Sequence, residues 1–247
     1  MNSDNHINAI AEQLKQARHC VVLTGAGVSA ESGIPTFRDA LSGLWEKFRP
    51  EDLATAEAYR KNPEMVYAWY QWRRQLISDT EPNAGHYALA ELAKRVERLT
   101  LITQNVDGLH QRAGSADVIE FHGNIFRNRC FAENTALAPD TTRSEKPPLC
   151  PVCGAMARPD VVWFGEALEP QVLQASAEAI DDCDVFLSIG TSSLVYPASE
   201  LGLAARSNGA VLIEINPQQT PLTAVCQFSV TANSAGVLPH MVRALKT

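Results

Sequence analysis

Apolar positions in this chain follow two rhythms. One is continuous: HCVVLTGAG (19–27), LTLITQN (99–105), DVFLSIGTS (184–192) and AVLIEINP (210–217) carry apolar residues in succession and close on polar, turn-forming ones. Uninterrupted runs of that length fit strands buried on both faces, as in a parallel sheet. The other rhythm is helical. Residues 5–18, 51–78 and 83–96 read as helices, the last with Asn83 as its cap, and a final helix begins near Leu238. VIEFHG (118–123) reads as a short strand ending at a histidine, and 132–149, with its Pro, Thr, Ser and charges, as a loop.

Strands that alternate with helices predict an α/β fold, a Rossmann-like doubly wound parallel sheet. Ligands of such sheets sit at the carboxyl ends of the strands. Four of these ends carry GAGVS, TQNVD, GTSS and NP, more polar chemistry than turns require. Two stretches break the rhythm. These stretches, 40–82 and 124–158, are placed in a smaller lobe inserted twice into the first.

Composition narrows the function. Of 247 residues, 45% are hydrophobic and 20% charged, enough apolar material for a sizeable core. A formal net charge of −7 argues against nucleic acid or an anionic membrane as the main partner. The polar, amphipathic N-terminus lacks the apolar core of a secretory signal, and no run approaches a membrane span. A cytoplasmic monomer is the expectation. Cys20, Cys183 and Cys226 lie in or beside apolar runs and read as small core residues.

The run VVLTGAGVSAESGIPTFRD (21–39) begins like a phosphate-binding strand–turn–helix, in which Gly25 and Gly27 would let backbone N–H groups approach a pyrophosphate. Its continuation is more specific. GAGVSAESGIPTFRD, TQNVDGLH, FHGN, CPVCG and FGE, in that order and spread over almost the whole chain, resemble the sirtuins, the NAD-dependent protein lysine deacylases. The resemblance implies a single sirtuin catalytic domain over 1–247, with a Rossmann lobe from 1–40, 83–123 and 159–247 and a small lobe made of a helical module (41–82) and a zinc-ribbon-like module (124–158). The implied reaction takes NAD and an acyl-lysine to lysine, nicotinamide and 2′-O-acyl-ADP-ribose. Its partners would be proteins bearing acyl-lysine.

Residue by residue, the resemblance assigns the general base to His122 in FHGN. An imidazole suits that task because it titrates near working pH. Cofactor contacts fall on Gly25, Ala26, Gly27, Ser29, Thr36, Phe37 and Arg38; on Gln104, Asn105 and Asp107; on Gly190, Thr191 and Ser192; and on Asn216, Ser234 and Ala235. Asn105 and Asp107 can complement the donors and acceptor of the nicotinamide amide. Val162, Phe164, Gly165 and Glu166 match the segment that pairs with the substrate backbone as an added strand.

CPVC (150–153) has zinc-knuckle spacing. The family supplies a second cysteine pair upstream; here it reads CFAE, with Cys130 present and Glu133 in the fourth place. Two readings stay open: a structural zinc on Cys130, Cys150 and Cys153 with a fourth ligand from Glu133 or elsewhere, or a metal-free loop.

MVYAWYQWRRQ (65–75) holds a second pattern. On a helix Tyr70 and Arg73 share a face. A guanidinium with a neighbouring hydroxyl can hold a carboxylate. In the resemblance this pair, with the small Ala54, marks the class III branch, which removes succinyl, malonyl or glutaryl groups. Arg74 has no matching role and is expected to be solvated. The alternatives weighed are a mono-ADP-ribosyltransferase, a non-catalytic reader of acyl-lysine or NAD, and a hydride-transferring dehydrogenase.

Overall fold

A computed structural model describes residues 3–35, 52–139, 142 and 144–245. In chain order its strands are β1 (Cys20–Thr24), β2 (Leu99–Thr103), β3 (Ile119–Glu120), β4 (Gly123–Cys130), β5 (Ala157–Val161), β6 (Val185–Ile189), β7 (Val211–Ile215) and β8 (Phe228–Val230). The helices are α1 (Ser3–Gln16), α2 (Ala26–Ala30), α3 (Ala56–Lys61), α4 (Pro63–Ser78), α5 (Ala84–Leu92), α6 (Leu109–Arg112), α7 (Pro170–Asp181), α8 (Ala198–Ser207) and α9 (Ser234–Ala244). Six strands form one parallel sheet, ordered β3-β2-β1-β6-β7-β8, while β4 and β5 form a separate antiparallel pair.

The continuous apolar runs have a simple cause: both faces of the sheet are covered. Val22 and Leu187 pack with Ile10 and Leu14 of α1, Leu89 of α5 and Leu238 and Met241 of α9. Their neighbours Val21, Leu23 and Phe186 point the other way, onto Ile180 of α7 and Ala205 of α8. A third apolar cluster joins α3 and α4 to β4, β5 and the segment after β5 through Tyr59, Tyr67, Trp69, Tyr70, Ile125, Val161 and Trp163.

Several elements differ from the sequence reading. The helix expected over 51–78 is two helices, because Asn62 leaves helical geometry, caps α4 by accepting from Met65 N at 3.1 Å and is followed by Pro63. The last helix starts at Ser234, not near Leu238; the Glu31 carboxylate accepts from Ser234 Oγ at 2.8 Å and Ala235 N at 3.1 Å, so its first turn is capped from far along the chain. Arg74 is buried, contrary to the expectation of a solvated side chain. Its guanidinium donates to Ile125 O at 2.6 Å, Arg127 O at 3.1 Å and Asn128 Oδ1 at 2.6 Å, where β4 bulges between Asn124 and Asn128 and breaks its ladder with β5. Cys20 and Cys183 are core residues, and Cys226 is half-buried. Among the described residues no helix is long and apolar enough to cross a membrane.

Candidate active site

The sheet reverses its winding between β1 and β6, where a doubly wound fold opens a crevice. Hydrogen bonds carry the ladder beyond the strands: Gly25 N donates to Ile189 O at 3.0 Å, Gly27 N to Gly190 O at 2.8 Å, Gly190 N to Ile215 O at 2.9 Å and Gln104 N to Thr24 O at 3.0 Å. The loops after β1, β2, β6 and β7 are thus held at one level. A Cβ at Gly25 or Gly27 would lie 2.8 or 2.7 Å from Gly190 O, and one at Gly190, whose φ is +61°, would lie 2.6 Å from Val28 N. These glycines let two loop backbones touch. The N–H groups of Gly25 and Gly27 are spent on that clamp, so the glycines serve the crevice by close packing rather than by offering those two donors to a phosphate.

Beneath the crevice lies a buried polar cluster. Ser29 Oγ donates to Asp107 Oδ2 at 2.7 Å, and Asn105 Nδ2 donates to Ser29 Oγ and Gly25 O, both at 3.0 Å. Asp107 Oδ1 accepts from Leu109 N at 2.9 Å. Burial raises the Asp107 pKa, opposed by these hydrogen bonds and by the charges of Arg73 and Arg112. Two histidines that the sequence reading passed over complete the cluster. His86 Nε2 lies 3.4 Å from Ser29 Oγ and His110 Nε2 2.9 Å from Thr24 Oγ1, with their rings 4.8 Å apart. Burial pushes His86 down to about 4 and His110 to about 3, so both are neutral at physiological pH. The sequence held one hint of His86: it stands three residues after Asn83, and its Nδ1 closes the capping box of α5.

His122 follows β3 at the rim. Its Nδ1 lies 3.1 Å from Gln104 O. A carbonyl only accepts, so Nδ1 carries the proton and Nε2 keeps its lone pair. Burial lowers the pKa of this ring, and the carbonyl contact partly offsets that. A neutral imidazole fixed in this tautomer can take a proton at Nε2.

The remaining expected cofactor residues lie at different depths. Gln104 Nε2 donates to Thr191 Oγ1 at 3.0 Å, bridging the ends of β2 and β6, with Ser192 exposed next to it. Asn216, after β7, donates to Gln218 O at 2.7 Å. Ser234 is buried and both it and Ala235 N are engaged by Glu31. Thr36, Phe37 and Arg38 lie outside the described residues.

Ala54, Tyr70 and Trp163 share the third apolar cluster. Ala54 is joined to the segment after β5 by Phe164 N, which donates to Ala54 O at 3.0 Å. Tyr70 OH accepts from Trp163 Nε1 at 2.8 Å, and the Arg73 guanidinium, also buried, lies over the Trp69 ring at 5.1 Å. Burial pushes Tyr70 up to about 12, against the field of Arg73. In the 162–166 segment, Val162 N is tied to His122 O at 2.9 Å, Gly165 has φ +81° and Phe164 is half-exposed. The Glu166 carboxylate pairs with Arg158 and accepts from Trp163 N at 2.8 Å, so it braces the loop from inside.

The sulfurs of Cys130, Cys150 and Cys153 lie within 4.8 Å of one another, and those of Cys130 and Cys153 are 3.4 Å apart. Two thiolates on a tetrahedral zinc stand about 3.8 Å apart, from Zn–S bonds of about 2.3 Å. The spacing fits. Glu133 donates its backbone N–H to Cys130 Sγ at 3.4 Å, but its side chain is exposed and its carboxylate is not in the cluster.

A parallel sheet wound in two directions, with a small-residue crevice at its reversal, a buried polar floor and an imidazole beside them, is the architecture of doubly wound α/β proteins, whose ligands sit at that reversal. The family model described as Sir2 family matches residues 25–197. NAD-dependent protein deacylase 2 of Pyrobaculum aerophilum is 46% identical over 237 residues, covering 96% of this chain and 95% of its own. A crystal structure of a Sir2 homolog–NAD complex superposes with a TM-score of 0.91 at 42% identity, covering 96% of this chain and 93% of that one. A mutant Sir2 homologue with 2′-O-acetyl ADP-ribose gives 0.88 at 42% identity, covering 96% of each chain. The chain belongs to the Sir2 family.

Proposed function

We propose that this protein is an NAD-dependent protein-lysine deacylase that removes succinyl and malonyl groups, and acetyl as well, from lysine side chains. With water consumed, the products are lysine, nicotinamide and 2′-O-acyl-ADP-ribose. NAD supplies a ribose carbon that becomes electrophilic as nicotinamide leaves. The chain's own residues do the rest. Asn105 and Asp107 face the nicotinamide amide, with Ser29 fixing the Asp107 carboxylate. Gly190, Thr191, Ser192 and Asn216 meet the rest of the dinucleotide. His122 Nε2 takes the proton of a ribose hydroxyl. The similarity to a protein named a deacylase and to complexes with NAD and 2′-O-acetyl ADP-ribose supports this reading.

The observation that carries the acid-acyl preference is the pairing of Tyr70 with Arg73 at the wall of a buried apolar cluster that also holds the small Ala54. A guanidinium can hold a carboxylate through charge-assisted, bidentate hydrogen bonds, which a neutral acyl group cannot form. The peptide backbone adds as a strand along 162–166. The test is Arg73→Met assayed with succinyl- and acetyl-lysine peptides. A charge-assisted hydrogen bond is worth roughly 1.5–3 kcal/mol, so kcat/KM for succinyl-lysine is expected to fall on the order of ten- to a hundredfold while acetyl-lysine holds steady or improves. An equal fall for both substrates would assign Arg73 to holding the fold.

One structural zinc on Cys130, Cys150 and Cys153 belongs to the same proposal. The convergence of three sulfurs supports it, and the fourth position falls to water or to a rotated Glu133 side chain.

A further inference from the structure

Resting on the acid-acyl reading above, we propose that Trp163 is a specificity-determining positioning residue, whose indole N–H aims the Tyr70 hydroxyl proton at the acyl carboxylate. A phenol oxygen rotates its proton about the C–O bond and takes whichever acceptor is offered. Here the Trp163 Nε1–H occupies an acceptor position on that oxygen at 2.8 Å. An indole N–H only donates, so the Tyr70 proton is turned away from it. Among the described residues nothing accepts that proton, although Tyr70 is 2% exposed. A buried hydroxyl proton in that position can be taken by an acceptor that a guest supplies.

The indole is itself held. The Arg158 guanidinium carbon sits 3.3 Å from the centre of the Trp163 ring, and Arg158 is anchored to Glu166 and, through Nη2, to Val161 O at 2.6 Å. Glu166 Oε2 also accepts from Trp163 N at 2.8 Å. The ring is fixed from above and through its own backbone, which is the support a positioning residue needs. Burial keeps Tyr70 protonated, with its pKa pushed up to about 12, so the donor exists at every working pH. The hydroxyl is thus pre-aimed, and Arg73 supplies the charge. Acetyl-lysine has no atom to use this donor.

The experiment compares Trp163→Phe, Tyr70→Phe and their double variant, with Arg73→Met as reference, on succinyl- and acetyl-lysine peptides. Phe keeps most of the ring and removes the N–H. The readout is the succinyl-to-acetyl ratio of kcat/KM, which a purely structural role would leave unmoved, alongside the melting temperature. The expected fall in that ratio is roughly three- to tenfold for Trp163→Phe, the worth of one neutral hydrogen bond. No further fall is expected when Tyr70 is already Phe, because the indole acts through that hydroxyl. An unchanged ratio in Trp163→Phe, or losses that simply add in the double variant, overturns this inference while a fall in Arg73→Met leaves the acid-acyl reading standing. An unchanged ratio in Arg73→Met overturns that reading and this inference with it.

Discussion

Arg73 and Arg74 are neighbours in sequence, and the structure gives them opposite expectations. Consider Arg74→Met. The wild-type side chain makes hydrogen bonds to Ile125 O, Arg127 O, Asn128 Oδ1, Gln71 Oε1 at 2.8 Å and Tyr67 OH at 3.3 Å. The two carbonyls belong to the bulged part of β4, where the ladder to β5 offers no partner. Methionine fills part of the volume and satisfies none of them. A buried acceptor left without its donor costs about 1–3 kcal/mol, and charged donors lie at the upper end. With three buried acceptors affected and some relaxation, the loss is about 3–5 kcal/mol. That is a large share of a domain stability of about 5–15 kcal/mol. At roughly 2–4 °C per kcal/mol for a chain of this size, the melting temperature should drop by roughly 6–20 °C. Arg74→Lys keeps the charge but gathers its donors on one nitrogen, which cannot reach all these acceptors, and should fall between. The assay is thermal unfolding of both variants, with succinyl- and acetyl-lysine kinetics measured well below the transition. The ratio of the two substrates should not move, because the Arg74 hydrogen bonds go to the bulge of β4, to Gln71 and to Tyr67, and none goes to Ala54, Tyr70 or Trp163. A melting temperature within about 2 °C of wild type, or a selective loss of succinyl-lysine turnover, would refute the assignment.

Three further outcomes are expected. His122→Ala should lower deacylation by roughly 10²–10⁴-fold, the usual contribution of a general base, while NAD binding measured by calorimetry survives; near-normal turnover would remove His122 from the mechanism. The folded protein holds His86 at about 4 and His110 at about 3, below an unfolded imidazole at about 6.5. The unfolded chain therefore binds protons first, so stability is full above about pH 6.5 and declines as pH falls toward about 4; a urea midpoint that stays level from pH 7.5 to 5 contradicts this. Elemental analysis should find about one zinc per chain, and a chelator should lower the melting temperature, since a structural metal stabilises only the folded state; a metal-free protein of the same stability would mark Cys130, Cys150 and Cys153 as leftover thiols.

The sequence by itself determined the parallel sheet, because strands covered on both faces must be apolar throughout: β1, β2, β6 and β7 were all legible as continuous runs. It also showed which strand ends carry polar loops, and the cap at Asn83, since both signals are local. The short edge strand β8 and the β4–β5 pair were not read, having weak or bulged patterns. Only the tertiary structure decided what depends on residues far apart in the chain. The two glycine loops clamp each other because β1 and β6 lie side by side. α9 begins where Glu31 reaches it, and no local pattern announces a cap from that distance. His86 and His110 are neutral because the fold removes water from them. Helical spacing treats Arg73 and Arg74 alike as polar residues on one helix. Both are buried, and their neighbours separate them, one lying against Tyr70 and Trp69 and the other in the gap of a bulged strand, because only packing sets which face of α4 meets which neighbour.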